Sequence, residues 1–161
     1  MLQKALNESL TLITRPLFPA KYRASSKRYS VILGVGGNIG DLVRRLERLS
    51  VFLKKSGQCD LVQTGPILKN PPFGYLDQDD FYNSVVMVKT NLQPKVFLKY
   101  VLEVERKFGR KRSFANAPRT LDIDMIFYED RNMNTEDLIL PHPHWQERES
   151  VVIPMAYMER R

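Results

Sequence analysis

Cysteine is almost missing from this chain of 161 residues. The single Cys59 excludes an internal disulfide and any Cys-x-x-Cys metal pair, which suits a reducing compartment, so a cytoplasmic protein is expected. Histidine is as scarce. Both copies sit in PHPH, Pro141 to His144, and two histidines with so remote a cysteine argue against a zinc site. No apolar run reaches the roughly 18 residues of a membrane span before charges break it, so no membrane partner is expected. What remains is ordinary: 43% hydrophobic and 27% charged residues, enough to bury one sizeable core.

The formal net charge of +7 is unevenly spread. Residues 1–30 hold six bases (Lys4, Arg15, Lys21, Arg23, Lys27, Arg28) against one acid, Glu8, a net of +5 that leaves +2 for the rest. The basic excess therefore belongs to an N-terminal arm, and no nucleic-acid partner is expected for the nearly neutral body. The arm has neither the continuous apolar stretch nor the cleavage site of a secretory signal. Pro16 and Pro19 interrupt the amphipathic helix a transit peptide needs. A short helix over residues 3–13 with an extended tether is expected. Two units follow: a basic arm, 1–28, and a globular domain, 29–161.

From Tyr29 the pattern sharpens. YSVILGVGG reads as a strand ending in glycines; GVGGNIGD then fails the dinucleotide spacing at Ile39, which leaves a tight strand-to-helix turn. Leu42, Leu46, Leu49 and Leu53 recur at helical spacing, with Asn38 or Asp41 as cap and Gly57 beyond the end. A second strand is expected through Cys59–Leu68, a third in FYNSVVMVKT, and a helix from Pro94 with Phe97, Val101, Val104 and Phe108 as its apolar stripe and Gly109 as its stop. PRTLDIDMIFYED supplies the fourth strand. The order βαββαβ predicts an α+β, ferredoxin-like fold, four antiparallel strands with two helices on one face.

That fourth strand contains two aspartates. Residues two apart on a strand share a face, so Leu121, Ile123, Met125 and Phe127 point one way and Asp122 and Asp124 the other. Two unit charges about 6–7 Å apart repel by roughly 2–3 kcal/mol at an effective dielectric near 20. A divalent cation between them reverses that sign, and oxygen ligands on a rigid strand suit Mg²⁺. The alternative is a pair simply solvated or paired with Arg119. Arg110, Lys111 and Arg112 lie about ten residues upstream and favour the metal reading, because carboxylates that hold Mg²⁺ beside several guanidinium groups describe a place for a polyphosphate. His142, between Pro141 and Pro143, is read as a donor to phosphate.

NPPFG, an Asn after DDFY, FGRKR, PRTLDIDMIFY and LPHP, in this order and spacing, resemble 6-hydroxymethyl-7,8-dihydropterin pyrophosphokinase of the folate pathway, over about Tyr29 to Ala156. The resemblance implies a ferredoxin-like fold and transfer of the pyrophosphoryl group of ATP to the pterin hydroxymethyl, with release of AMP. It implies that Asp122 and Asp124 bind two Mg²⁺ ions. Arg110 and Arg119 match residues that contact ATP or stabilise the leaving charge, Arg112 and His142 further nucleotide contacts, Arg148 a mobile-loop arginine, and Glu105 an acid near the nucleotide. Asn83 matches an amide on the pterin edge, Phe81 an aromatic on its ring, and Asn70, Pro71 and Phe73 the same pocket. Ser150 stands where a second aromatic is usual, Ala115 where a base is usual, and Asn116 or Phe114 where a tryptophan is usual. The expected partners are ATP and a reduced pterin, and the expected state is a monomer. Two rival readings share parts of the pattern: an RNA-binding module of the same strand order, which lacks the RNP1 aromatics, and a two-metal nucleotidyl transferase, which shares the carboxylates.

Overall fold

The computed structural model describes residues 2–111 and 113–159. The elements in chain order are β1 (Leu2–Ala5), β2 (Thr11–Thr14), β3 (Ala20–Lys21), β4 (Tyr29–Gly37), α1 (Leu42–Lys55), β5 (Asp60–Thr64), β6 (Ile67–Asn70), β7 (Phe81–Thr90), α2 (Pro94–Lys107), β8 (Asp122–Tyr128), β9 (Met133–Asn134), β10 (Ile139–Leu140) and α3 (Glu149–Ala156), with one 3-10 turn at Trp145–Glu147. The result is a mixed α+β fold on an antiparallel sheet. Asp41 caps α1 by accepting from the Arg44 N–H, and Pro94 opens α2 at its first turn, where a missing N–H costs nothing.

The sheet differs from the expected four strands. It has eight, in the order β1-β2-β6-β7-β4-β8, with β3 on β5 and β5 also on β7. Two local causes account for the difference. The second expected strand is broken at Gly65–Pro66 into β5, which pairs Val86 to Lys89, and β6, which pairs Phe81 to Asn83. The arm is not helical: Asn7 Oδ1 accepts from the N–H of Ser9 and of Leu10, both at 2.8 Å, and folds the chain into a turn. Such side-chain capture of the backbone competes with helix, and the β-branched Thr11, Ile13 and Thr14 then favour the strand. β9 and β10 form a separate ribbon.

The two faces carry different helices. Leu46, Leu49 and Leu53 of α1 and Phe97, Val101 and Val104 of α2 bury the main core with Val31, Leu33, Val86 and Val88. α3 lies on the opposite face, where Val151 packs with Val85 and Ile126, so the two expected helices share a face and an additional helix covers the other. Phe127 also departs from its expected side. The register on β4 slips between Ile32 and Leu33, so Ile32 faces Phe127 and Leu33 faces Met125. This bulge puts Phe127 beside Ile126 on the α3 face, against Trp145 at 4.9 Å between centroids, and re-aims the strand just past the aspartates.

Candidate active site

β4 is the floor of the site. Its Gly36 lies directly between Asn83 of β7 and Asp122 of β8, and its Gly34 between Val85 and Asp124. Directly opposed residues of antiparallel strands share a face, so Asn83, Asp122 and Asp124 all rise on the α3 side. Neither glycine obstructs them. A Cβ on Gly36 would meet Asn83 Oδ1 at 1.9 Å, which makes this a position for hydrogen alone. The alternation of glycine with bulky residues in GVGG carried that signal, but the sequence reading took it only for a turn.

Above the floor lies a cavity of about 430 Å³, lined by Arg110, Lys111, Arg119, Asp122, Asp124, His142, Arg148 and the loop from Ser113 to Pro118. Asp122 is held by two arginines, Oδ1 by Arg110 Nη1 and Oδ2 by Arg119 Nη1, each at 3.1 Å. Asp124 has a looser partner, Arg148 at 3.8 Å. Burial first, and then the negative charge of Asp122, raise the Asp124 carboxyl from 3.8 to about 7. A carboxylate in that condition is short of positive charge.

Glu105 supports the pair from beneath. It is 1% exposed, and its Oε2 accepts the N–H of Ile123, between the two aspartates, at 2.7 Å. Arg110 is tied to the same frame through the Leu121 carbonyl at 3.1 Å. Arg119 donates from Nε to the Ala117 carbonyl and lies 5.2 Å from the Phe81 ring centre. His142 donates its backbone N–H to the Ile126 carbonyl, while its Nδ1 accepts from the His144 N–H at 3.3 Å. That leaves Nε2 as the donor of a neutral ring. Burial, followed by the Arg148 charge, depresses the His142 pKa and keeps the ring neutral.

The residues expected on the pterin side are partly gathered. Asn83 Nδ2 donates to Asn70 Oδ1 at 2.7 Å across β6 and β7, and Phe81 adjoins Arg119. None of Asn70, Pro71, Phe73, Phe81 and Asn83 lines this cavity or the second one of about 540 Å³, and Pro71 and Phe73 stay on an exposed loop, with Phe73 77% exposed. Arg112 lies outside the described residues. Sequence reasoning missed Asn38 and Gln78 as organisers. Asn38 Oδ1 accepts from the Arg119 N–H at 2.9 Å and its Nδ2 donates to Gln78, which in turn donates to the carbonyls of Tyr75 and Asn116. Tyr75 and Phe114 meet edge to face at 5.2 Å, so the loop at 71–80 is fastened to the loop at 113–118.

No group of three or more His, Cys, Asp or Glu side chains gathers at one point among the described residues. Asp122 and Asp124 alone fit a magnesium ion that brings its remaining oxygens from a ligand's phosphates, since Mg²⁺ commonly takes one or two carboxylates. Among the described lining residues, four cations (Arg110, Lys111, Arg119 and Arg148) surround the two carboxylates, an excess of positive charge that suits a polyanion. The chain belongs to the family described as 7,8-dihydro-6-hydroxymethylpterin-pyrophosphokinase, whose model matches residues 32–160. It is 39% identical over 153 residues to the 2-amino-4-hydroxy-6-hydroxymethyldihydropteridine pyrophosphokinase of Helicobacter pylori, covering 92% of this chain and 93% of that one. It is similar as well to the enzymes of that name from Campylobacter jejuni, 36% identical with 88% of each chain covered, and Bacillus subtilis, 35% identical with 77% of this chain and 74% of that one covered.

Proposed function

We infer that this chain transfers a pyrophosphoryl group to the hydroxymethyl of 6-hydroxymethyl-7,8-dihydropterin, a step of folate biosynthesis, with ATP as donor and AMP as the second product. The observation that carries the reading is the joint placement of Asp122, Asp124, Arg110, Arg119 and Arg148 around one cavity. The strand order β8-β4-β7 with β5 and β6 beyond it supports a ferredoxin-like unit as the carrier of this site, with the arm as an addition to its edge.

The reaction forms a bond from the hydroxymethyl oxygen to the β-phosphorus and breaks the bond to the bridging oxygen that leaves with AMP. Positioning and charge neutralisation supply most of the barrier reduction in such transfers. Arg110 and Arg119 donate to the phosphate oxygens, and neutral His142 offers its Nε2–H to another. Among the described residues, Asp124 is held by one cation at 3.8 Å where Asp122 is held by two at 3.1 Å, and it is the freer carboxylate to take the hydroxyl proton. Two Mg²⁺ ions at Asp122 and Asp124 would neutralise triphosphate charge and orient its chain. Asn83 with Asn70 reads the pterin edge, and Phe81 gives an apolar surface to its ring. A coupled assay for AMP with the pterin, ATP and Mg²⁺ tests the reading. Formation that requires the pterin supports it, and AMP formation indifferent to the pterin refutes it.

A further inference from the structure

The N-terminal arm precedes the segment that matches the family, residues 32–160, yet it is built into the sheet beside the cleft. β2 joins the edge of β6 with Leu12 opposite Leu68. Leu10, Leu12 and Leu68 form a small core of their own, and Ile153 of α3 packs against it. α3 is also seated on the sheet, where the Pro154 carbonyl comes so near Gly65 that a Cβ there would meet it at 2.8 Å. At its start the helix is capped by Arg148, whose carbonyl accepts from the N–H of Val151 and of Val152 at 3.0 and 2.9 Å. The coupling runs through the helix's first turn, ahead of Pro154: the Arg148 carbonyl is bonded to Val151 and Val152, next to Ile153, so a shift at Ile153 moves Arg148.

We propose that the N-terminal hairpin braces the active site: Leu10 and Leu12, acting through Ile153, are positioning residues that set α3 and with it the Arg148 guanidinium over Asp124. The proposal rests on the reading that Arg148 engages the transferred phosphates. A displacement of about 1 Å in a reacting constellation costs on the order of 100-fold. Truncating Leu10 while α3 keeps its other contacts is expected to cost about tenfold in kcat.

The test is a cycle of four full-length proteins, wild type, Leu10→Ala, Arg148→Ala and the double variant, assayed for AMP formation well below each thermal midpoint. Leu10→Ala is expected to melt cooperatively and to lose about tenfold in kcat in the wild-type background, but less than about twofold when Arg148 is already alanine. Leu10→Met restores turnover. An equal loss in both backgrounds, or no loss in either, overturns the brace while leaving Arg148 in its role. If Arg148→Ala is as active as wild type, the reading of Arg148 fails and the brace with it. Should Leu10→Ala not melt cooperatively, Ile153→Ala takes its place in the same cycle with the same outcomes.

Discussion

Asp124→Asn is expected to make the protein more stable and catalytically inert at once. The Asp124 carboxyl is raised from 3.8 to about 7 by its burial and by the charge of Asp122. The native state therefore holds this proton more tightly than the unfolded chain does. As pH rises from about 4 the unfolded chain ionises first, and the stability this group contributes is lost until the native carboxyl ionises too, near 7; above that the penalty is constant. In a fully buried group that interval would be worth about 4 kcal/mol. The Asp124 side chain is 39% exposed, so solvent screening leaves on the order of 1 kcal/mol. Asparagine keeps the shape and carries no charge. In a chain of this size about 1 kcal/mol corresponds to roughly 2–4 °C in Tm. Thermal melts in metal-free buffer with chelator should show that gain at pH 8 and none at pH 4, while turnover falls by orders of magnitude. A variant that melts at or below wild type at pH 8, or whose gain persists at pH 4, refutes the electrostatic account of the pair.

Asp122→Ala should behave differently in stability but not in activity. It strands Arg110 and Arg119, 11% and 16% exposed, costs about 1–3 kcal/mol, and lowers AMP release by orders of magnitude in a chain that still melts cooperatively; wild-type release would contradict the site. Gly36→Ala places a Cβ on Asn83 Oδ1, so it should raise KM for the pterin more than KM for ATP, and an unchanged pterin KM would count against Asn83 as its reader. The Cys59 thiol, pushed up to about 11 chiefly by burial, should resist a thiol reagent at pH 8 in the native protein and react once denaturant opens the core, whereas prompt native labelling would show the site to be open.

The strand that carries the aspartates could be read from the sequence because its alternation is strict where it matters. Leu121, Ile123 and Met125 are buried in the main core and the aspartates stand between them. The bulge at Ile126–Phe127 could not be read, since two apolar neighbours look alike whichever face they take. The arm misled for a physical reason: its apolar residues permit a helical spacing, and one Asn7 side chain decides for a turn. Cation and carboxylate partners from β8, the loop before it and the start of α3 were recognisable as residue types. Their division between the two aspartates was not, because it depends on where α3 lands, and α3 is placed by Gly65, Val85 and the arm, none of which carries a catalytic signature.

That division answers why the strand carries two acids rather than one. Asp122 is held by Arg110 and Arg119 at 3.1 Å and orients their guanidinium groups, whereas Asp124 has an electrostatic demand that Arg148 at 3.8 Å only partly meets. Among the described lining residues four cations face two carboxylates, so the cleft as a whole attracts anions while the aspartate pair within it attracts a cation. A lone metal ion gains the second and is opposed by the first; a lone polyphosphate gains the first and is opposed by the second. Under the proposed function, a magnesium–polyphosphate pair meets both demands at once, where either component alone meets one and is opposed by the other.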